Sequence, residues 1–188
     1  MTAKGVLDMS FCDLSEDNHV ITYLEDSLKE REIVTGKIPS KERLEKEKNE
    51  IKAIRLGNNL YDSLDNVSSS MNYAVNLDNI HWLDLSFNSI EKLSESFAKK
   101  FPNISLLYLQ ANKITKLTEL KKLQHFKNLK SLVLFGNPVE ESKHYRNMIL
   151  WACPNLQILD FCPITEQQRS RNAVWKQTFR RKLYPDDY

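Results

Sequence analysis

The side chains that most often carry out catalysis are few and scattered in this sequence. Four histidines show neither the HExxH spacing of a zinc protease nor clustering with cysteine: His19, His81, His125 and His144. Gly36-Lys37 is not a phosphate-binding loop, because Arg31 stands where such a loop has its first glycine. No GxSxG nucleophile elbow occurs, and the carboxylates are dispersed. We therefore expect no catalysis, no metal and no cofactor.

The cysteines also argue against a reactive site. Cys12, Cys153 and Cys162 form an odd set without CxxC spacing, which is typical of reduced thiols in the cytosol. Cys153 and Cys162 flank a predicted strand, and we expect both to be buried as small hydrophobic residues.

The C-terminal sequence is rich in positive charge and could bind an acidic surface. Its basic residues are Arg169, Arg171, Lys176, Arg180, Arg181 and Lys182, interleaved with Trp175, Phe179 and Tyr184. Such a mixture can contact nucleic acid or an acidic protein. The plainer alternative is a solvated helix followed by a short tail. Nucleic acid is the less expected partner, because no base-stacking sheet or motif accompanies these residues.

The composition indicates one globular domain. The chain has 188 residues, of which 41% are hydrophobic and 28% charged, with a net charge of +2. No apolar run approaches the roughly 20 residues of a membrane span, and the N-terminus does not resemble a signal peptide. We therefore expect a cytoplasmic protein.

An internal repeat organises the chain. Four segments follow the pattern L-x-x-L-x-L-x-x-N, and they are Ile51-Ile54-Leu56-Asn59, Ile80-Leu83-Leu85-Asn88, Ile104-Leu107-Leu109-Asn112 and Leu129-Leu132-Leu134-Asn137. The asparagines lie 29, 24 and 25 residues apart. A fifth copy, Leu156-Leu159-Phe161, lacks the asparagine. A repeat of this length predicts an α/β solenoid, a short horseshoe with a parallel sheet on its concave face.

Each recurring residue type has a physical role in such a solenoid. Alternate residues of a short strand, such as Leu83 and Leu85, point into the core. The chain then turns inside the stack, and the asparagine amide can satisfy the backbone groups left there without a partner. The longer first interval contains residues 66–72, which we expect to form a surface excursion.

The ends of the stack need covers, because a solenoid exposes its core there. Residues 41–52 predict a solvated helix over the N-terminal edge. The spacing of Tyr145, Ile149, Leu150 and Ala152 predicts a helix in the C-terminal cap. Thr165 and Gln168 form a capping box for a last helix through Trp175, one face of which could hold both Trp175 and Phe179.

We accordingly divide the chain into four parts. Residues 1–48 form a non-repeat N-terminal arm with the capping helix, and 49–137 contain four repeats. Residues 138–175 form the C-terminal cap with the degenerate fifth repeat, and 176–188 form a basic tail.

The strand residues between the inward leucines should face a partner. The candidate binding residues are Arg55, Trp82, Asp84, Phe87, Leu106, Tyr108, Val133, Phe135, Ile158 and Asp160. A contiguous apolar patch on a protein surface commonly marks an interface. Asp84 and Asp160, expected near Arg55, could set the register of a basic partner segment. In the alternative hypothesis, the N-terminal arm of this chain folds back over the face.

The repeats resemble the SDS22-like class of leucine-rich repeats. The resemblance is clearest in LDLSFNSIEKL, LYLQANKITKL and LVLFGNPVEESKHYR. That class includes regulators of phosphatase, a spliceosomal partner protein and proteins associated with axonemal dynein. The resemblance implies a non-catalytic adaptor of the cytoplasm and of the ciliary axoneme, with axonemal proteins or tubulin as partners. It leaves open a regulatory subunit of a phosphatase or dynein motor, and a ribonucleoprotein component.

Overall fold

The computed structural model describes residues 5–15 and 40–183, together with Thr22, Glu25 and Asp26. At positions 69, 70, 72, 73 and 178–183 it describes the backbone only. Expectations that fall on most of the N-terminal arm and on residues 184–188 lie outside the described residues.

Seven short strands form one sheet in chain order. They are β1 (Val6–Asp8), β2 (Ala53–Arg55), β3 (Trp82–Asp84), β4 (Leu106–Tyr108), β5 (Ser131–Val133), β6 (Ile158–Leu159) and β7 (Cys162–Pro163). The first six pair in parallel and β7 pairs antiparallel with β6. The central residues Ile54, Leu83, Leu107, Leu132 and Leu159 lie side by side and are buried. The predicted α/β solenoid is confirmed.

Short helices carry the chain from each strand to the next. They are α1 (Lys41–Glu50), α2 (Leu64–Ala74), α3 (Glu95–Lys100), α4 (Leu117–Lys121), α5 (Tyr145–Ala152) and α6 (Glu166–Leu183), with 3₁₀ turns at Leu77–Asn79, Lys122–His125 and Pro138–Glu141. Helices α2 and α3 pack on each other, as do α4 and α5. The core lies between these helices and the sheet.

The repeat asparagines bridge neighbouring coils. Asn112 donates from Nδ2 to the carbonyls of Leu85 (2.9 Å) and Leu109 (3.0 Å), and its Oδ1 accepts from the Ile90 amide at 3.0 Å. Asn59, Asn88 and Asn137 make the corresponding bonds in their coils. One buried amide therefore satisfies backbone groups of two coils, as the repeat pattern predicts.

The sheet contains a strand, β1, that the repeat pattern does not predict. Leu7 pairs with Ile54, and Met9 and Leu14 are buried. Cys12 stands where later coils have asparagine, and its backbone amide donates to Oδ1 of Asn59. This first coil lacks the diagnostic asparagine, which is why the pattern passes over it. The division of the chain into arm, repeats, cap and tail stays a prediction.

Helix α1 is solvated, as expected, and its last turn contacts the following coil, where the Asn76 and Asn79 side chains donate to Asn49. The Ser40 hydroxyl caps it by accepting from the Arg43 amide, and no residue of the helix is buried. Strand β1 lies against β2 at the N-terminal edge of the sheet. Strand β1 therefore forms that edge, and the covering of the stack by α1 stays a prediction.

The prediction that residues 66–72 form a surface excursion is wrong, because these residues belong to α2. Leu64, Val67 and Met71 are almost completely buried and lie three and four residues apart, on one helix face. The Ser63 hydroxyl caps the helix by accepting from the Asp65 amide. The serines between the apolar residues conceal the helical period.

The C-terminal cap follows the predicted helices with one change of length. Thr165 and Gln168 form the reciprocal capping box of α6. Trp175 is buried and donates from Nε1 to Nδ1 of His144 at 3.1 Å. Helix α6 continues to Leu183, so much of the predicted tail is helical. The Phe179 side chain lies outside the described residues.

Candidate protein-binding face

Four aromatic side chains form a continuous run across the sheet. The Trp82 and Tyr108 ring centroids are 5.7 Å apart, those of Tyr108 and Phe161 are 5.9 Å apart, and those of Phe161 and Phe135 are 6.2 Å apart. The first two pairs have the edge-to-face geometry that aromatic rings favour. We call these four residues the aromatic run. Strands β3 and β4 position its first two members.

Two aliphatic side chains extend the same surface. Leu106 and Ile158 each begin a strand and are 36% and 38% exposed, close to the 40% of Phe135. Together with the aromatic run they form a largely apolar surface on a charged protein. Burying such a surface against a partner is favourable at about 25 cal/mol per Å².

Phe161 is the residue of this surface that the sequence misplaces. Its position in the degenerate fifth repeat predicts a core residue, but it is 61% exposed. Phe161 and Asp160 form the two-residue turn between β6 and β7, and both have positive φ, 60° and 52°. This geometry is that of a type I′ turn, which favours Asn-Gly or Asp-Gly. The turn lifts the Phe161 ring onto Tyr108 and Phe135.

Two of the predicted binding residues are not at the surface. Val133 is completely buried. Asp84 is 8% exposed, and its Oδ1 accepts from the amide and the hydroxyl of Ser86. Both are in register with Tyr108 on neighbouring strands, so they lie on the same side of the sheet but are covered.

Charged residues occupy the N-terminal part of the sheet. Asp8, Arg55 and Asp84 lie side by side on β1, β2 and β3. Arg55 donates to Oδ2 of Asp8 at 2.7 Å and lies 3.9 Å from Oδ2 of Asp84. Partial burial opposes ionisation of Asp8, but hydrogen bonds from Ser10 and the Arg55 guanidinium outweigh it and lower the pKa of the carboxyl. Asp8 was not among the predicted site residues, since β1 was not predicted.

Asp160 has a structural role at the other end of the sheet, four strands from Arg55. Its Oδ1 accepts from the Leu134 amide at 2.7 Å and the Phe135 amide at 3.0 Å, and its Oδ2 accepts from the Tyr145 hydroxyl at 3.0 Å. Burial, followed by the Asp160 charge, raises the pKa of Tyr145. The expectation that Asp160 lies near Arg55 is wrong. Its carboxylate instead accepts, from the Leu134 amide, a hydrogen bond that in the earlier coils goes to a backbone carbonyl of the next coil.

Of the predicted basic contact residues, one has a structural role and two are exposed to solvent. Arg169 donates to the backbone carbonyls of Pro154 at 2.7 Å and Leu156 at 2.6 Å, so it ties α6 to the cap. Arg171 and Lys176 are exposed on α6. The side chains of Arg180, Arg181 and Lys182 lie outside the described residues.

Phe87 is exposed but separate from the aromatic run. It is 54% exposed, has φ 54°, and makes no ring contact in the described part of the chain. A left-handed backbone costs most residues about 1–2 kcal/mol, and asparagine tolerates it better.

We therefore expect Phe87→Asn to raise the free energy of unfolding by about 0.5–1 kcal/mol, measured by urea denaturation. Phe135→Asn, outside the positive-φ set, is the control and should not stabilise. A destabilised Phe87→Asn would contradict this account of the backbone.

The cysteines differ in exposure, which corrects the expectation that both are buried. Cys153 is buried and Cys162 is exposed. Burial raises the pKa of Cys153 to about 12.

We therefore expect iodoacetamide at pH 8 to alkylate Cys162 in the native protein and Cys153 only after denaturation, because the thiolate is the nucleophile. Mass spectrometry of the alkylated peptides measures this. Equal rates at the two sites would contradict it.

Within residues 5–15 and 40–183, no group of three His, Cys, Asp or Glu side chains is arranged to hold a metal ion. No helix in the same part of the chain is both long and apolar enough to cross a membrane.

The chain belongs to the leucine-rich repeat family, whose model matches residues 18–183. Such repeats are typically a non-enzymatic module through which proteins bind other proteins, so the fold and family indicate an interaction protein.

The chain is similar to leucine-rich repeat-containing protein 51 of Bos taurus, with 40% identity over 53% of this chain and 51% of that protein. The Rattus norvegicus protein of the same name is 37% identical over 64% of this chain and 63% of its own length. The match therefore spans less than two thirds of either relative. Among solved structures, the crystal structure of the Drosophila melanogaster SNF/U2A' complex matches with a TM-score of 0.64 and 28% identity, over 81% of this chain and 83% of that chain.

Proposed function

We propose that this protein is a non-catalytic scaffold or adaptor that docks a partner protein on the concave face of its sheet. The aromatic run carries this proposal. Large, partly exposed rings that already touch one another provide a preorganised apolar surface, and such rings dominate the energetics of protein interfaces.

The face favours a partner segment with apolar side chains. Leu106, Phe135, Ile158 and Phe161 remain accessible for contact. Asp8 and Arg55 lie beyond the Trp82 end of the aromatic run and can align a charged part of the partner. The apolar part supplies affinity and the charged part supplies register.

We further propose that the protein acts in the cytoplasm, as a structural component of the ciliary axoneme. Support comes from the sequence resemblance to a class that includes dynein-associated proteins. Axonemal proteins or tubulin would be the partners, and the exposed Arg171 and Lys176 would suit an acidic surface such as that of tubulin. A regulatory subunit of a phosphatase or dynein motor is the alternative. A structural component resists extraction of axonemes by salt, whereas a regulator exchanges with the soluble pool.

A second candidate function is a role in a ribonucleoprotein. The observation that favours it is the similarity to the SNF/U2A' complex structure over most of both chains. Such a role would not require this protein to contact RNA. Recovery of RNA-binding proteins in place of axonemal proteins would favour this candidate.

Affinity purification from ciliated cells tests the docking face. We compare the wild type with Leu106→Glu/Phe135→Glu, which places two carboxylates on exposed positions of the face. Val174→Glu is the matched control, because Val174 is 65% exposed on α6, away from the sheet. We expect the double variant to lose a discrete set of partners that the control retains, with both variants folded by circular dichroism. An unchanged partner set in the double variant would overturn the proposal.

A further inference from the structure

A second apolar surface lies at the carboxyl ends of β1, β2 and β3. Its members are Phe11, Leu60 and Phe87, which are 75%, 57% and 54% exposed. We call them the rim patch. In the described part of the chain, no ring contact joins Phe11 or Phe87 to the aromatic run.

Backbone hydrogen bonds place the three residues on neighbouring coils. The Phe11 amide donates to the Gly57 carbonyl at 3.2 Å, and the Asn58 amide donates to the Ser86 carbonyl at 2.9 Å. Phe11, Asn58 and Phe87 therefore hold equivalent positions in three neighbouring coils. With neighbouring strands about 4.8 Å apart, the two phenylalanines lie about 10 Å apart. Leu60 follows Asn58 by two residues and donates from its amide to the Leu14 carbonyl.

The backbone at these positions does not favour phenylalanine. Phe11, Asn58 and Phe87 have φ of 61°, 57° and 54°, and the equivalent Ala111 and Gly136 have φ of 54° and 72°, so every coil requires this conformation. Asparagine and glycine adopt this left-handed conformation most readily. Exposed phenylalanines bury little surface in return, so the fold gains little from them. Strained positions of this kind are retained where they serve a function, and for an exposed ring that function is contact with another molecule.

The charges around the rim patch define its partner. Asp13, Asp62 and Glu91 are exposed carboxylates of the same three coils. The Glu91 amide donates to the Asp62 carbonyl, so these two residues lie on adjacent coils. Two exposed lysines adjoin them: Lys92, and Lys113 of the next coil, whose amide donates to the Ile90 carbonyl. Carboxylates outnumber lysines around the patch, so it complements an apolar segment with basic residues.

We propose that the rim patch is a second docking surface, which binds a basic segment of a partner protein that carries apolar side chains. This surface goes beyond the proposed function, because it uses different residues and needs no contact with the aromatic run. Apolar side chains of the segment pack between Phe11, Leu60 and Phe87. Its lysines or arginines face Asp13, Asp62 and Glu91.

Selection from a phage-displayed library of random peptides tests this proposal on the full chain. The wild type is compared with Phe11→Asn/Phe87→Asn, in which both substitutions suit the left-handed backbone and should not unfold the protein. We expect peptides that bind the wild type but not this variant, and we expect these peptides to be basic and apolar. In fluorescence anisotropy with a selected peptide, the variant should bind at least about tenfold more weakly. Asp62→Lys/Glu91→Lys should also weaken binding, and added salt should weaken binding to the wild type.

Two further variants locate the effect. Val174→Gln removes an equally exposed apolar side chain from α6 and should leave peptide binding unchanged. Leu106→Glu/Phe135→Glu alters the other face and should also leave it unchanged, so failure of the two docking surfaces can be told apart. The proposal is overturned if no selected peptide depends on Phe11 and Phe87, or if the dependent peptides are acidic.

Discussion

Asn112→Ala is expected to lower the free energy of unfolding by about 3–4 kcal/mol, the largest loss of stability that we predict for a single substitution. The substitution removes three hydrogen bonds and leaves the Ile90 amide buried without a partner. The carbonyls of Leu85 and Leu109 each lose one of two bonds and keep those from Asn88 and Asn137. The buried amide without a partner costs about 1–3 kcal/mol, and each of the two hydrogen bonds lost at the carbonyls contributes about 0.5–1.5 kcal/mol. For a chain of this length the melting temperature should fall by about 6–16 °C, measured by calorimetry.

Asn155→Ala is the matched control, because it deletes the same amide from an exposed turn between α5 and β6. A surface change of this kind should alter the free energy of unfolding by less than about 0.5 kcal/mol. Equal losses in the two variants would show that the buried amide does not bridge the coils as described.

Asp160→Ala is expected to lower the free energy of unfolding by about 2–4 kcal/mol, because the amides of Leu134 and Phe135 and the Tyr145 hydroxyl all lose their acceptor. Alanine also fits the left-handed backbone at Asp160 poorly. Urea denaturation measures the change.

Asp160→Asn provides the control for this prediction. Asparagine keeps an acceptor oxygen for the two amides and tolerates positive φ, so it should retain most of the stability. If Asp160 were a partner-binding residue, as the sequence pattern predicted, Asp160→Ala would weaken binding and leave stability unchanged. That result would contradict the structural role assigned here.

The periodic part of the molecule could be predicted from sequence because every coil repeats the same physical problem. Each strand needs inward apolar residues such as Leu83 and Leu107, and each buried turn needs an amide such as Asn88. The parallel sheet, the asparagine bridges and the α6 capping box follow from local rules of this kind. Trp82, Leu106, Tyr108 and Phe135 lie at or near the surface for the same reason.

The ends of the stack could not be predicted in this way, because a coil at an end has a neighbouring coil on one side only. The first coil has Cys12 at the position where the later coils have asparagine. A repeat pattern that requires asparagine therefore does not detect this coil. The fourth repeat is followed only by the degenerate coil of β6, and there the Asp160 carboxylate binds the amides of Leu134 and Phe135. The same turn then exposes Phe161. A residue that the period assigns to the core is thereby moved onto the binding face.

These end effects shape the candidate surfaces. Phe161 joins the aromatic run only because the hairpin of β6 and β7 closes the sheet. Phe11 joins the rim patch only because β1 adds a coil before the first predicted repeat. The binding surfaces therefore depend on how the stack is terminated as much as on the repeats.

Site-specific photo-crosslinking tests the central claim, that a partner docks on the aromatic run, most directly. A benzophenone amino acid replaces Leu106, which is exposed beside the run, or Val174, which is exposed on α6, and the protein is irradiated in ciliated cells. We predict that the probe at 106 forms a discrete covalent adduct with a partner protein and that the probe at 174 does not. The adduct should disappear when Phe135→Glu is added. Adducts that form equally from both positions, or that survive Phe135→Glu, would contradict docking on this face.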